Sequence, residues 1–207
     1  MLEASQIECV RGNRRLFRDL SFRLEAHQAL RVRGENGSGK TSLLRIVAGL
    51  SPAESGSVSW NEGNIRALGE DYLRDLLFLG HFNGLKDDLS PVENLRYALV
   101  LAGVGADEPA LRAALAEQGL AAIADLPVKL LSQGQKRRVA LARLSFSAQT
   151  PLWILDEPFI ALDAASVERL ARTITRQLQR GGMVMFSTHQ EVELNGAAMR
   201  TVDLGAS

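Results

Sequence analysis

The spacing of apolar residues changes period several times along the chain, and each change predicts an element. Apolar positions spaced from Leu2 to Cys9, a Gly12-Asn13 turn, and Leu20, Phe22 and Leu24 alternating with Ser21, Arg23 and Glu25 predict an antiparallel ribbon. Leu30 to Val32 predicts a further strand. Arg31 and Arg33 alternate with its apolar residues, so one face of that strand must meet something polar. Gly56 to Trp60 predicts another short strand, and Leu76 to Leu79 a buried one that ends at Gly80-His81.

Helical periods interrupt and follow these strands. After residue 41, Leu43, Leu44 and Val47 share a face; Gly49 ends that helix at C′, Leu50 is its expected apolar partner and Pro52 prevents continuation. Ser90-Pro91-Val92-Glu93 makes a capping box with proline in the first turn, ahead of a stripe of Leu95, Leu99 and Ala102 closed by Gly103. A second helix is predicted over 109–118, with Leu111, Ala114 and Leu115 on its face and Gly119 as its stop. Its alanines signify helix propensity, and Arg112 and Glu117 argue against a membrane segment. Lys129 to Gln135 leads into a third helix carrying Val139, Ala142 and Phe146.

Residues 151–156 return to a buried strand pattern that ends in a carboxylate. A long helix follows, with Asp163 as its N-cap and Val167, Leu170, Ala171, Ile174 and Leu178 on one stripe. Gly181-Gly182 turns into a strand from Met183 to Phe186 that ends at Ser187-Thr188-His189, and a last strand is expected from Thr201 to Leu204. The whole reads as one α/β domain over 1–207, with a core of 1–85 and 148–207 and a helical insertion at about 86–147.

The first chemical signal is Gly34-Glu35-Asn36-Gly37-Ser38-Gly39-Lys40-Thr41, which fits G-x-x-x-x-G-K-[ST] between a strand and a helix. Glycines let backbone N–H groups approach phosphate oxygens and tolerate the positive φ such a loop needs. Lys40 supplies charge for the β and γ phosphates, and Thr41 a hydroxyl for Mg²⁺. The expected nucleotide contacts along the loop are Gly34, Asn36, Gly37, Ser38, Gly39, Lys40, Thr41 and Ser42.

The second signal is Asp156-Glu157, at the end of an apolar strand where α/β sheets carry ligand-binding residues. Alone, such a pair is more often a solvated turn. Beside a phosphate loop, Asp156 reads as a Mg²⁺ holder and Glu157 as the group that aligns and polarises attacking water. Leu131-Ser132-Gln133-Gly134-Gln135 opens a helix whose N–H groups and Ser132 hydroxyl favour an anion, although by itself Ser132 is a simple cap.

Composition adds exclusions. The 207 residues are 46% hydrophobic and 23% charged, enough for one substantial core. Lys+Arg and Asp+Glu balance at 24 each, so no global charge favours nucleic acid, and none is expected as a partner. Cys9, the single cysteine, excludes an internal disulfide. The first residues lack a signal-peptide pattern and no run approaches ~20 apolar residues, so any membrane role is expected to come through a partner.

The phosphate loop, Leu131-Ser132-Gln133-Gly134-Gln135, the strand-end Asp156-Glu157, Ala161-Leu162-Asp163 and His189 occur in the order of the ABC-type ATPase domain, which the chain resembles over essentially its whole length. That resemblance implies a P-loop NTPase, RecA-like mixed sheet with an N-terminal antiparallel ribbon and an inserted α-helical subdomain. It implies ATP and Mg²⁺, and a head-to-tail dimer in which Ser132, Gly134 and Gln135 of one copy cap the nucleotide on the other. Asp163 would couple the two sites, and catalytic His189 would join Glu157 at the γ-phosphate and attacking water. Integral membrane subunits of the same complex are the other implied partners.

Three positions depart from the family pattern. Gln133 stands where glycine is usual. His81 stands at the Mg²⁺-sensing glutamine, which places it with Thr41 and Asp156 as a metal-site residue. Arg11 stands at the aromatic that stacks on adenine, a role its guanidinium plane can also fill. His81 and the stretches around residues 79–81, 131–143, 153–159 and 188–190 resemble most closely the ATP-binding subunits of haem exporters in c-type cytochrome maturation. The implied site of action is the cytoplasmic face of a bacterial inner membrane. His27, His81 and His189 are scattered and C-x-x-C-H is absent, so no direct haem binding is expected. Other readings are the ATP-binding subunit of another small exporter, or a soluble nucleotide-gated assembly module.

Overall fold

In the computed structural model, residues 1–194, 196 and 198–205 are described. Their contacts divide the chain into two compact units. The first comprises Met1–His81, Thr150–Pro158 and Ile174–Ser207, and the second Phe82–Gln149 and Phe159–Thr173.

The first unit holds two sheets. One is antiparallel and four-stranded: β1 (Leu2–Arg11), β2 (Arg14–Leu24), β4 (Ser55–Trp60) and β5 (Gly63–Asn64), in the order β2-β1-β4-β5. Leu2, Ala4, Phe22 and Leu24 are buried by simple alternation, and an irregularity at Gln6, with φ of 49°, shifts the parity of β1 so that Ile7 and Cys9 face inward as well. The predicted ribbon is therefore half of a sheet, which β4 and β5 complete.

The other sheet is five-stranded and wholly parallel. It contains β3 (Gln28–Arg33), β6 (Leu76–Leu79), β7 (Leu152–Leu155), β8 (Met183–Ser187) and β9 (Ala198–Asp203), in the order β6-β7-β8-β3-β9. Every residue of β7 and β8 is buried, so both are continuous apolar runs, as parallel strands covered on both faces are. β9 begins three residues before the Thr201 expected from the sequence.

Helix α1 (Lys40–Val47) packs Leu43, Leu44, Ile46 and Val47 into this unit's core with Leu30 and Val32 of β3. It ends in a Schellman motif: Gly49 N–H donates to Ile46 O and Leu50 N–H to Arg45 O. Leu50 itself is 48% exposed, so the motif stands on its hydrogen bonds without the buried partner expected of that leucine. Two short helices, α2 (Ile65–Leu68) and α3 (Glu70–Arg74), carry no apolar period long enough to read in the sequence. Tyr72 of α3 is buried, and its hydroxyl donates to Val47 O at 2.6 Å.

The second unit is helical. α4 (Pro91–Leu101) starts at Ser90, where the predicted capping box forms in both directions: Glu93 N–H donates to Ser90 Oγ and Ser90 N–H to the Glu93 carboxylate. Its buried stripe is Val92, Leu95 and Leu99; Ala102, expected on that stripe, is instead the exposed C-cap. α5 (Glu108–Glu117) is capped by Asp107 and stops before Gly119. α6 (Gln133–Leu141) runs on as a tighter helical turn over Ala142–Phe146. Leu111, Leu115, Leu120, Val128, Val139 and Ala142 complete this unit's core. α7 (Ala164–Gln179) begins in this unit after Asp163, whose carboxylate accepts the Ser166 N–H at 2.8 Å, and its residues from Ile174 belong to the first unit.

Candidate functional site

β3, β7 and β8 end at the same edge of the parallel sheet, and their register determines which side chains meet there. Val32 is level with Ser187, and Leu155 with Phe186. The next residue of β7's chain, Asp156, therefore comes level with Ser187, while the chain leaving β3 enters the glycine-rich loop. Such carboxyl-end edges are where open α/β sheets hold ligands.

The loop from Gly34 to Gly39 is a cradle of backbone donors. Gly34, Gly37 and Gly39 have φ of 146°, 79° and 105°. A Cβ at Gly37 would meet nothing within 4 Å, so it is the left-handed backbone, rather than crowding, that calls for glycine there. Gly39 forms the N-cap of α1 without a side-chain cap, which leaves that helix's first N–H groups directed at the cradle. Lys40 is buried and donates from Nζ to Gly34 O at 2.9 Å and Glu35 O at 3.0 Å. Two of its three N–H donors thus hold the ammonium at the loop, and the third is left for an anion.

From the loop, one continuous chain of contacts crosses the sheet edge. Thr41 Oγ1 donates to Asp156 Oδ2 at 2.8 Å. Ser187 Oγ donates to Asp156 Oδ1 at 2.7 Å and accepts the Glu157 N–H at 2.9 Å. His189 Nε2 lies 3.2 Å from Glu157 Oε1. Asp156 is fully buried. Glu157 adopts φ of 48°, a conformation that costs a non-glycine residue about 1–3 kcal/mol and persists only where surrounding contacts impose it. The Ser187 bond to its N–H is one such contact. A hydroxyl and a carboxylate side by side are the hard oxygen donors that suit Mg²⁺. Among the described residues no group of three His, Cys, Asp or Glu could enclose an ion, so one held here would take further oxygens from water and phosphate.

A cavity of about 710 Å³ adjoins this edge, with Arg14, Arg33, Asn36, Ser38, His189 and Glu191 on its wall. Of the phosphate loop, Gly34, Glu35, Asn36 and Ser38 line it, and Lys40 and Thr41 do not. Arg14 lines it, whereas Arg11, singled out from the sequence, is exposed at the end of β1 opposite Arg14. Ser42 lies half-buried in the first turn of α1. His81 is exposed two residues beyond Leu79, whose carbonyl accepts the Asp156 N–H at 2.7 Å.

The remaining predicted residues lie in the helical unit. Ser132 caps α6 in a second reciprocal box: Gln135 N–H donates to Ser132 Oγ at 3.2 Å, and Ser132 N–H to Gln135 Oε1 at 2.8 Å. Ser132 and Gln133 are exposed. Gly134 is required by packing, since a Cβ there would fall 2.5 Å from Ala161 O. Asp163 has its carboxyl held below the usual range, first by its hydrogen bonds to Ser166 and then by the charges of Arg138 and Arg169.

Sequence reasoning missed Ser187, which ties Asp156 to Glu157. A polar residue closing an apolar strand was visible, but its partner depends on strand register, which no local pattern reveals.

The sequence of the family described as ABC transporter matches residues 17–160. The chain is 51% identical over 205 residues to the cytochrome c biogenesis ATP-binding export protein CcmA of Dechloromonas aromatica (strain RCB), covering 99% of this chain and 100% of that one. It is 45% identical to the protein of the same name from Vibrio cholerae serotype O1, covering 99% of each. Among solved structures, it is similar to an ABC transporter ATP-binding protein from Pyrococcus furiosus, with a TM-score of 0.80, 22% identity and coverage of 98% of this chain and 96% of that one. It is likewise similar to a dimeric ATP-binding cassette in a post-hydrolysis state bound to ADP and Pi, with a TM-score of 0.78, 22% identity and coverage of 92% and 88%. Motif order, fold and relatives agree, and the chain belongs to the ABC transporter family as one of its ATP-hydrolysing cassettes.

Proposed function

We propose that this chain binds MgATP at the Gly34–Ser42 loop, hydrolyses it with Glu157, and so powers the membrane complex that exports haem, or releases haem-loaded chaperone, during c-type cytochrome maturation. The observation that carries the catalytic part is the unbroken chain Thr41–Asp156–Ser187–Glu157–His189 beside the phosphate loop. The maturation role is supported by near full-length relatives named as cytochrome c biogenesis export proteins.

Each residue's task follows from its chemistry. Loop N–H groups, including that of Asn36, and the third Lys40 N–H bind phosphate oxygens, with Ser38 offering its hydroxyl because its N–H is held by Glu35 O. Thr41 and Asp156 would hold Mg²⁺, with His81 near its shell, and the ion would neutralise charge on the β and γ oxygens. The Glu157 carboxylate orients a water and accepts its proton as the water oxygen bonds to the γ-phosphorus and the bond to the β–γ bridging oxygen breaks. His189 steadies that carboxylate through its 3.2 Å contact. Arg11, or Arg14 on the cavity wall, supplies a guanidinium plane for the base.

Ser132, Gly134 and Gln135 act on a second copy of the chain. Ser132 Oγ accepts from Gln135 N–H, so its own hydrogen can donate to a γ-phosphate bound by the partner. Asp163, at the head of α7, links the two sites of such a head-to-tail pair.

No helix among the described residues is long and apolar enough to cross a membrane. The membrane part of the function therefore falls to integral subunits that hold this chain at the cytoplasmic face of the inner membrane, and haem is handled by those partners. Co-purification of the tagged chain from a detergent extract tests this. A hydrophobic multi-span partner is the expected result. Recovery of the active ATPase with no such partner would contradict export and favour a soluble assembly module.

A further inference from the structure

The two arginines of β3 interrupt an otherwise apolar core strand, and their partner is a residue of the His189 segment. Arg31 and Arg33 point to the same side of β3, opposite Leu30 and Val32. The Arg31 side chain is only 11% exposed, and two guanidiniums on one strand face repel each other. Glu191 lies against both: Arg31 Nη1 donates to Glu191 Oε2 at 2.8 Å, and Arg33 Nη2 lies 3.3 Å from Oε1. The pair holds the Glu191 carboxyl below its usual range.

His189 sits two residues before that carboxylate, in a short strap fixed at both ends. At its start, Ser187 is bonded to Asp156 and Glu157. Within it, Thr188 is buried and its hydroxyl accepts the Gln190 N–H at 3.0 Å. Beyond it, Val192 is buried and anchors the chain, but a non-directional apolar contact leaves the turn free to rotate. A carboxylate shared by two guanidiniums of a strand paired on both sides fixes that rotation.

We propose that Glu191, gripped by Arg31 and Arg33, is a positioning residue that sets the His189 imidazole against Glu157. This rests on the reading that His189 assists hydrolysis, and its test separates the two ideas. The chain has three histidines, His27, His81 and His189, so ring signals of the full-length protein labelled at histidine can be assigned with a His189→Ala variant. Glu191 is exposed, so Glu191→Gln leaves packing intact.

In Glu191→Gln, the His189 ring signals should shift or broaden while those of His27 and His81 stay in place. ATP hydrolysis should show kcat down about tenfold at unchanged KM, a modest share of what a 1 Å misplacement costs. Arg31→Met should reproduce both effects, and the double variant should be no worse than either single one, because both remove the same link. Unmoved His189 signals in Glu191→Gln, or additive losses in the double variant, would overturn the proposal. Displaced signals with unchanged hydrolysis would uphold the strap and refute a catalytic part for His189.

Discussion

Ser187→Ala removes one oxygen that serves two catalytic carboxylate residues. Ser187 is fully buried; it donates to Asp156 Oδ1 at 2.7 Å and accepts the Glu157 N–H at 2.9 Å. A hydrogen bond to a charged group contributes about 1.5–3 kcal/mol, and a buried donor deprived of its acceptor costs about 1–3 kcal/mol. Allowing for partial relaxation, the variant should lose about 3 kcal/mol, a large share of the roughly 5–15 kcal/mol that holds a domain folded. Urea unfolding should show a lower midpoint at an unchanged slope. Turnover should fall as well, because Glu157 loses a contact that imposes its φ of 48°.

A loss below about 1 kcal/mol, or a midpoint unmoved from that of the parent protein, would refute the assignment.

Gly134→Ala should destabilise the helical unit by about 1–3 kcal/mol, since its Cβ would sit 2.5 Å from the Ala161 carbonyl, a backbone atom that cannot swing aside; thermal unfolding reads this directly. Glu93 and Asp163 have carboxyls held below the usual range, Glu93 chiefly by the Ser90 N–H and Asp163 chiefly by Ser166. Their contribution is therefore complete above the unfolded carboxylate range near pH ~4 and lost as pH falls through the lower folded values. Melting temperature should drop along that acid limb, and less so in Glu93→Gln, whose amide keeps the capping box. Tyr72 shows the opposite limb: burial pushes its hydroxyl well above the usual value, so the unfolded chain loses its proton first and stability falls above pH ~10. Tyr72→Phe should flatten that limb while costing about 1–2 kcal/mol at neutral pH, as Val47 O loses its donor.

Much of this arrangement was legible before any coordinates, for local reasons. The capping box at Ser90, the serine cap at Ser132, the glycine-rich loop, and the apolar strands ending at Leu79 and Leu155 are each specified by residues adjacent in the chain. Even the polarity of one face of β3 could be inferred from Arg31 and Arg33. That Glu191, 160 residues from Arg31, would meet that face could not, because it depends on how β8 and β3 align. Ser187 was hidden for the same reason. The short helices over residues 65–74 escaped because four or five residues cannot display a helical period. That Arg14 lines the cavity was likewise hidden, because which residues around a hairpin turn face a given side is set by the pairing that follows it.

The central claim is that Glu157, beside the phosphate loop, is the group that takes the proton from the attacking water. Glu157→Gln keeps the size of the side chain and removes its basicity. Nucleotide binding and phosphate release by this variant, measured side by side on one preparation, decide the matter. ATP bound with unimpaired affinity, and phosphate release reduced by about a thousandfold or more, is the predicted outcome, in keeping with loss of a general base and the orientation it gives. Phosphate release at the unaltered rate would contradict it.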